Sequence, residues 1–113
     1  MPITPLSPTL SVSPQVLPQE LAALRKAGFR SIICNLPDGE GGPGQPGFAQ
    51  IAAAAEAAGM QSAYLPIVPG RAGAAEAAAF RDLMDRLPTP ILAFCRSGNR
   101  SAALWSMAQS VRA

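Results

Sequence analysis

A chain of 113 residues, 49% of them hydrophobic, can bury one core without disulfides but is short for two domains. Only 5% is aromatic and much of the apolar share is alanine, which favours closely packed helices over a bulky aromatic core. A net charge of +2 on dispersed Lys and Arg argues against a nucleic-acid partner, and no apolar stretch approaches membrane-spanning length.

Residues 1–8, rich in Pro and Ser, are expected to form an extended N-terminal segment ahead of a single domain over residues 9–113. The segment has no basic start and no sustained apolar run, so it does not read as a secretory leader. A cytoplasmic location with Cys34 and Cys95 reduced follows from that reading. Residues 9–13 alternate polar and apolar, as a half-buried strand does, and Pro14 ends them. Pro18 suits the first turn of a helix, Glu20 its positive end, and Gly28 its stop. Residues 29–35 read as a buried strand. The Gly- and Pro-dense stretch 36–47 is a loop of the length that often carries function.

A second helix is expected over 48–58 with Gly59 as its stop, and a third buried strand over 62–68, where Pro66 limits ladder bonding. Residues 69–73 form a turn, 74–87 a helix broken by Pro88, 90–94 the last parallel strand and 101–111 the final helix. Strand and helix alternate throughout. The pattern predicts an α/β fold, a mostly parallel central sheet with helices on both faces and right-handed crossovers. Ligands of such sheets bind beyond the carboxyl ends of the strands, where loops 36–47, 69–73 and 95–100 should converge.

The stretch with the most chemistry is Cys95-Arg-Ser-Gly-Asn-Arg100-Ser101, which joins the last strand to the last helix. A cysteine delivered to a helix N-terminus meets free backbone N–H groups and the positive end of the helix dipole. Both lower a thiol pKa and can hold an anion. Gly98 lets the loop fold tightly. Arg100 is the candidate to grip the oxygens of a phosphate, sulfonate or thiosulfonate through its planar fork. Arg96 is expected at the rim. Ser97 and Ser101 can donate hydroxyls, Ser101 also to the thiolate, and inward amides of Gly98 and Asn99 would complete the nest.

This segment resembles the Cys-x-x-Gly-x-Arg active-site loop of rhodanese-type sulfurtransferases. It is also similar to the His-Cys-x5-Arg signature of protein tyrosine and dual-specificity phosphatases. Here the Cys-to-Arg spacing is one residue shorter, Ser101 stands where that Arg would be, and Phe94 replaces the His. Taken with Leu10-Ser-Val-Ser, Gly28-Phe-Arg and Pro37-Asp-Gly-Glu40, nearly the whole chain resembles the bacterial "beta-lactamase hydrolase-like" phosphatase-fold domains, often described as sulfur transferases. The resemblance implies a dual-specificity-phosphatase-like fold with a rhodanese-length loop. It also implies a role in sulfide handling, alongside a persulfide dioxygenase or a sulfide:quinone oxidoreductase.

The shorter loop makes a smaller cradle, better matched to a sulfane sulfur on Cys95 than to a tetrahedral phosphate. Phosphatases of this fold take a general acid from the loop after the third strand, and Pro69-Gly-Arg-Ala has none, whereas a thiolate or sulfite leaving group needs none. The leading expectation is therefore a sulfurtransferase that moves sulfane sulfur from thiosulfate or a low-molecular-weight persulfide to a thiol through a Cys95 persulfide. The alternatives are a phosphatase with a phosphocysteine intermediate and a non-catalytic module that binds an anion or presents a persulfide.

Asp38 and Glu40 are the acids within reach, in a general-acid or substrate-side role, though turn chemistry favours a turn-forming Asp-Gly with a solvated Glu. The resembled family often carries Arg before that Pro, where this chain has Leu36, so a second anion contact is lacking. Arg71 stands beside the site and could touch an anionic donor, although a solvated role is the simpler one. Cys34 in its apolar strand reads as an inert core thiol rather than a resolving one, and Tyr64, Phe80, Trp105 and Met107 as core. With no His and no Cys cluster, neither a zinc site nor another cofactor is expected.

Overall fold

The computed structural model describes residues 2–110. One five-stranded sheet runs β1 (Thr4–Pro5), β2 (Leu10–Ser13), β5 (Ile91–Phe94), β3 (Ser31–Cys34), β4 (Gln61–Tyr64) across its width. The four longer strands are parallel and only β1 runs against its neighbour. Helices α1 (Leu21–Lys26), α2 (Phe48–Ala57), α3 (Ala74–Arg86) and α4 (Asn99–Ala108) connect them, with a 3-10 turn at Pro18–Glu20 ahead of α1. The Glu20 carboxylate accepts the Leu17 N–H at 2.7 Å and so caps that start.

The strand alternation divides the core into two layers. Ile32, Cys34, Leu92 and Phe94 face Leu21 and Leu24 of α1 and Ile51 and Ala55 of α2. Ile33, Ile91 and Ala93, one residue out of step, face Ala77 and Phe80 of α3 and Leu104 and Ala108 of α4. Small residues such as Ala55, Ala77 and Ala108 let the helices lie close on the sheet. The mostly parallel α/β architecture expected from the pattern is what forms.

The elements differ from the expected ones chiefly in four places. Strand β2, expected half-buried, is buried at all four of its residues. The Pro-rich start supplies β1, with Thr4 opposite Val12 and Pro5 opposite Ser11; an edge position tolerates the proline's missing donor. Strand β4 ends at Tyr64, not at residue 68, and as an edge strand it is half-exposed, not buried. Beyond it Pro66 interrupts the ladder, although Leu65 and Ile67 still donate to the Cys34 and Asn35 carbonyls at 2.9 and 3.0 Å. Helix α4 begins at Asn99, two residues earlier than expected. Val111, its expected end, lies outside the described residues.

Register positions the site. Ser13, Phe94, Cys34 and Tyr64, the last residues of the four parallel strands, are aligned across the sheet. The chain after each therefore leaves from one edge, so residues 14–17, 95–98, 35–47 and 65–73 gather there.

Candidate active site

Cys95 follows the last residue of β5 and is buried, with no disulfide. The Gly98 N–H donates to its Sγ at 3.1 Å. Burial alone would push the thiol up, but the backbone N–H groups of Ser101, Ser97, Arg100 and Gly98 outweigh it. The Cys95 pKa falls below the ordinary thiol value. The early start of α4 explains part of this: Arg100 and Ser101 lie in its first turn, whose N–H groups have no helical acceptor, whereas the Asn99 N–H, expected to point inward, donates to Ser97 Oγ.

Gly98 makes the turn possible. Its φ is +95°, and a Cβ there would lie 3.3 Å from the carbonyl carbon and oxygen of Ser13. Ser97 is exposed and its Oγ accepts the Asn99 N–H at 3.3 Å. Arg96 stands at the rim as expected. Its guanidinium lies against Gly41, where an added Cβ would meet Nη1 at 2.8 Å.

Ser101 departs from expectation. Its buried hydroxyl donates to Asn35 Oδ1 at 2.8 Å, so its influence on Cys95 comes through the backbone N–H. Asn35 was not singled out by sequence reasoning, which read it only as a strand end. It is fully buried; its N–H donates to the Phe94 carbonyl at 2.8 Å and its Nδ2 to the Leu65 carbonyl at 2.9 Å. One residue thus ties β5, the chain after β4 and the start of α4 together, the first through its backbone and the other two through its side-chain amide. The only signal was an amide ending an apolar run, where burial demands partners.

Glu40 is the largest correction. It is not solvated: Arg100 Nη1 and Nη2 donate to its two carboxylate oxygens at 2.7 and 2.6 Å. Nη1 also donates to the Ile67 carbonyl at 2.7 Å. The Arg100 guanidinium holds the Glu40 carboxyl below its usual range, and Glu40 raises Arg100 in turn, with a smaller contribution from the Cys95 sulfur. Nε and one Nη2 hydrogen of Arg100 are left for a further acceptor.

Asp38 is engaged elsewhere. Its Oδ1 accepts the Phe48 N–H at 2.8 Å, capping α2, and its own N–H donates to the Tyr64 hydroxyl at 2.9 Å. Tyr64 is 38% exposed and stacks on Phe48 with centroids 4.8 Å apart, so it belongs to the loop's footing and not to the core. Phe80 is buried as expected, while Trp105 packs partly buried against the second layer. Arg71 is exposed in the turn after Val68 and lines a cleft with Pro66, Ile67, Val68 and Glu76. Among the described residues no hydrogen bond joins the Arg71 side chain to the Cys95 loop. Cys34 is buried, donates to the Leu36 carbonyl at 3.3 Å and is pushed up to about 11 by burial, the behaviour of an inert thiol.

A thiolate under converging amides, with the Arg100 guanidinium within electrostatic reach of the sulfur, can attack and hold a tetrahedral anion. Solved structures share the fold. A candidate phosphatase from Neisseria meningitidis is 35% identical with a TM-score of 0.84, over 91% of this chain and 72% of that one. A Shewanella putrefaciens candidate phosphatase (22% identical, 95% of this chain and 66% of that one) aligns at 0.80. Pseudomonas aeruginosa TpbA, solved with phosphotyrosine, aligns at 0.67 with 20% identity, over 90% of this chain and 58% of that one. These last two carry the fold alone. Beta-lactamase hydrolase-like proteins of Agrobacterium fabrum and Xylella fastidiosa are 34% and 31% identical over 90% and 98% of this chain. The chain spans about a quarter of those curated relatives, 23% and 26% of their lengths. The family model for the phosphatase-like domain of beta-lactamase hydrolase-like proteins matches residues 3–112, and the chain belongs to that family.

Proposed function

We propose that this domain is a cysteine-dependent phosphatase. The observation that carries the reading is the buried Cys95 sulfur, which accepts the Gly98 N–H at 3.1 Å and whose pKa is lowered by backbone N–H groups of its loop and of the first turn of α4. The thiolate attacks phosphorus of a phosphate monoester while the amides and the open edge of Arg100 hold the non-bridging oxygens. The P–O bond to the leaving group breaks, S-phosphocysteine forms, and water then cleaves it to phosphate.

The loop after β4 holds no acid, Asp38 caps α2 and Glu40 is ionised on Arg100, so among the described residues no acid is placed to protonate the leaving group. Aryl phosphates, whose phenolates leave unaided, are the favoured class. The test is hydrolysis of 4-nitrophenyl phosphate. Wild type should turn it over, and Cys95→Ser should lower kcat by at least about 10³-fold, the order expected for loss of a nucleophile. Wild type without turnover overturns the reading.

Sulfur transfer is the second reading, favoured by the short Cys95–Arg100 spacing and by leaving groups that need no acid. The thiolate would attack the sulfane sulfur of thiosulfate, sulfite would leave with its bonding pair, and a thiol acceptor would take the sulfur from the persulfide. Protein incubated with thiosulfate would then gain the mass of one sulfur atom on Cys95. Absence of that adduct removes this reading.

A further inference from the structure

A carboxylate at the mouth of an anion site needs an explanation. By charge alone, Glu40 opposes both the Cys95 thiolate and any incoming anion. Yet the loop that carries it is built to hold it there. Glu40 N–H donates to the Pro37 carbonyl at 3.2 Å, Gln45 Nε2 to the same carbonyl at 2.8 Å, and Gly41 N–H to Gln45 Oε1 at 2.7 Å. Asp38 anchors the loop to the start of α2 and to Tyr64. The Arg96 guanidinium lies against Gly41 beside the Gln45 side chain.

We infer that Glu40 is a positioning residue: with the Ile67 carbonyl, its carboxylate fixes which edge of the Arg100 guanidinium faces the Cys95 loop. The two oxygens of Glu40 match one edge of the fork in parallel bonds, and the Ile67 carbonyl takes the remaining Nη1 hydrogen. Three connections, after β3, β4 and β5, thereby converge on one side chain. Arg100 is then already ordered when an anion arrives, and less freedom is lost on binding. The inference rests on the reading that the Cys95 loop holds an anion, but its test does not need turnover.

The sign of one measurement separates positioning from charge. In a Cys34→Ser background, the Cys95 pKa is read from the ultraviolet absorbance of its thiolate, with and without Glu40→Gln. Removing a carboxylate without moving Arg100 would lower that pKa. If Glu40 holds Arg100 beside the sulfur, Glu40→Gln should raise it by about half a unit to one unit, because the guanidinium is released. Orthovanadate should bind about ten-fold more weakly to Glu40→Gln, and Glu40→Gln should change nothing further in an Arg100→Lys background, where the fork is gone. A pKa that falls or stays, or vanadate binding as tight as wild type, overturns the inference. Wild type that fails to bind vanadate sinks the phosphatase reading instead, and the direction of the thiol shift still decides the role of Glu40.

Discussion

Two thiols at the same end of neighbouring strands have their pKa values pushed in opposite directions, and their surroundings explain why. Cys34 is enclosed by apolar side chains with one carbonyl as acceptor, so ionisation finds no support. Cys95 is just as buried but has N–H groups aimed at it. Gly98 makes that arrangement possible, so Gly98→Ala is the most informative single change. It forces a Cβ into a left-handed conformation and to 3.3 Å from the Ser13 carbonyl. We expect a loss of about 1–3 kcal/mol, from strain and crowding together, measured by denaturant unfolding. The thiol should also become less acidic as the loop shifts. Unchanged stability would mean that the chain at Ser13 yields freely. At this scale the Cys95 loop was legible because its residue types sit together in sequence. The Glu40–Arg100 pair was not, since sixty residues separate partners whose meeting depends on how two loops leave the sheet. Asn35 escaped for the same reason: its partners lie at Leu65 and Ser101.

The elements were legible where punctuation was local. Gly28, Gly59 and Pro88 stop helices by backbone rules that hold regardless of tertiary contacts, and the strand and helix order follows from them. The boundaries that failed are those set by pairing. β1 exists because Val12 and Ser11 offer it a partner, and β4 stops where Pro66 interrupts the ladder although apolar residues continue to Val68. Helix α2 shows how an element and the site are joined. Its first N–H is capped from ten residues upstream by Asp38, which also orders the loop bearing Glu40. Asp38→Ala should cost about 1 kcal/mol of stability, in the ordinary range for a lost cap, and should speed amide exchange at Phe48. Because the same loop carries Glu40, the variant should also weaken orthovanadate binding, though less than Glu40→Gln. A variant that loses stability but keeps full vanadate affinity would show that loop and cap are independent.

For the whole molecule, the two cysteines make stability depend on pH in a way that can be traced to each. The Cys95 pKa in the fold lies below the ordinary thiol value, so its thiolate favours the folded state above that value. This contribution is lost as pH falls through the folded pKa. Cys34 runs the other way. It stays protonated in the fold until about 11, whereas the unfolded chain ionises near 9.0, so its contribution is full below 9.0 and disappears as pH rises to about 11. With each pKa unit worth about 1.4 kcal/mol, the Cys34 loss over that window is roughly 2–3 kcal/mol. Stability against pH should therefore climb toward the ordinary thiol value and fall beyond it. Denaturant unfolding of three proteins across pH 6–11 isolates the terms, since tyrosine and lysine titrations are common to all. Cys95→Ser should flatten the climb and leave the alkaline fall. Cys34→Ser, whose hydroxyl can still donate to the Leu36 carbonyl, should remove most of the fall and leave the climb. If both variants follow the wild-type curve, the sulfurs do not differ in the folded state. The backbone amides of the Cys95 loop and of the first turn of α4 would then have lost their claim to have made Cys95 the reactive thiol.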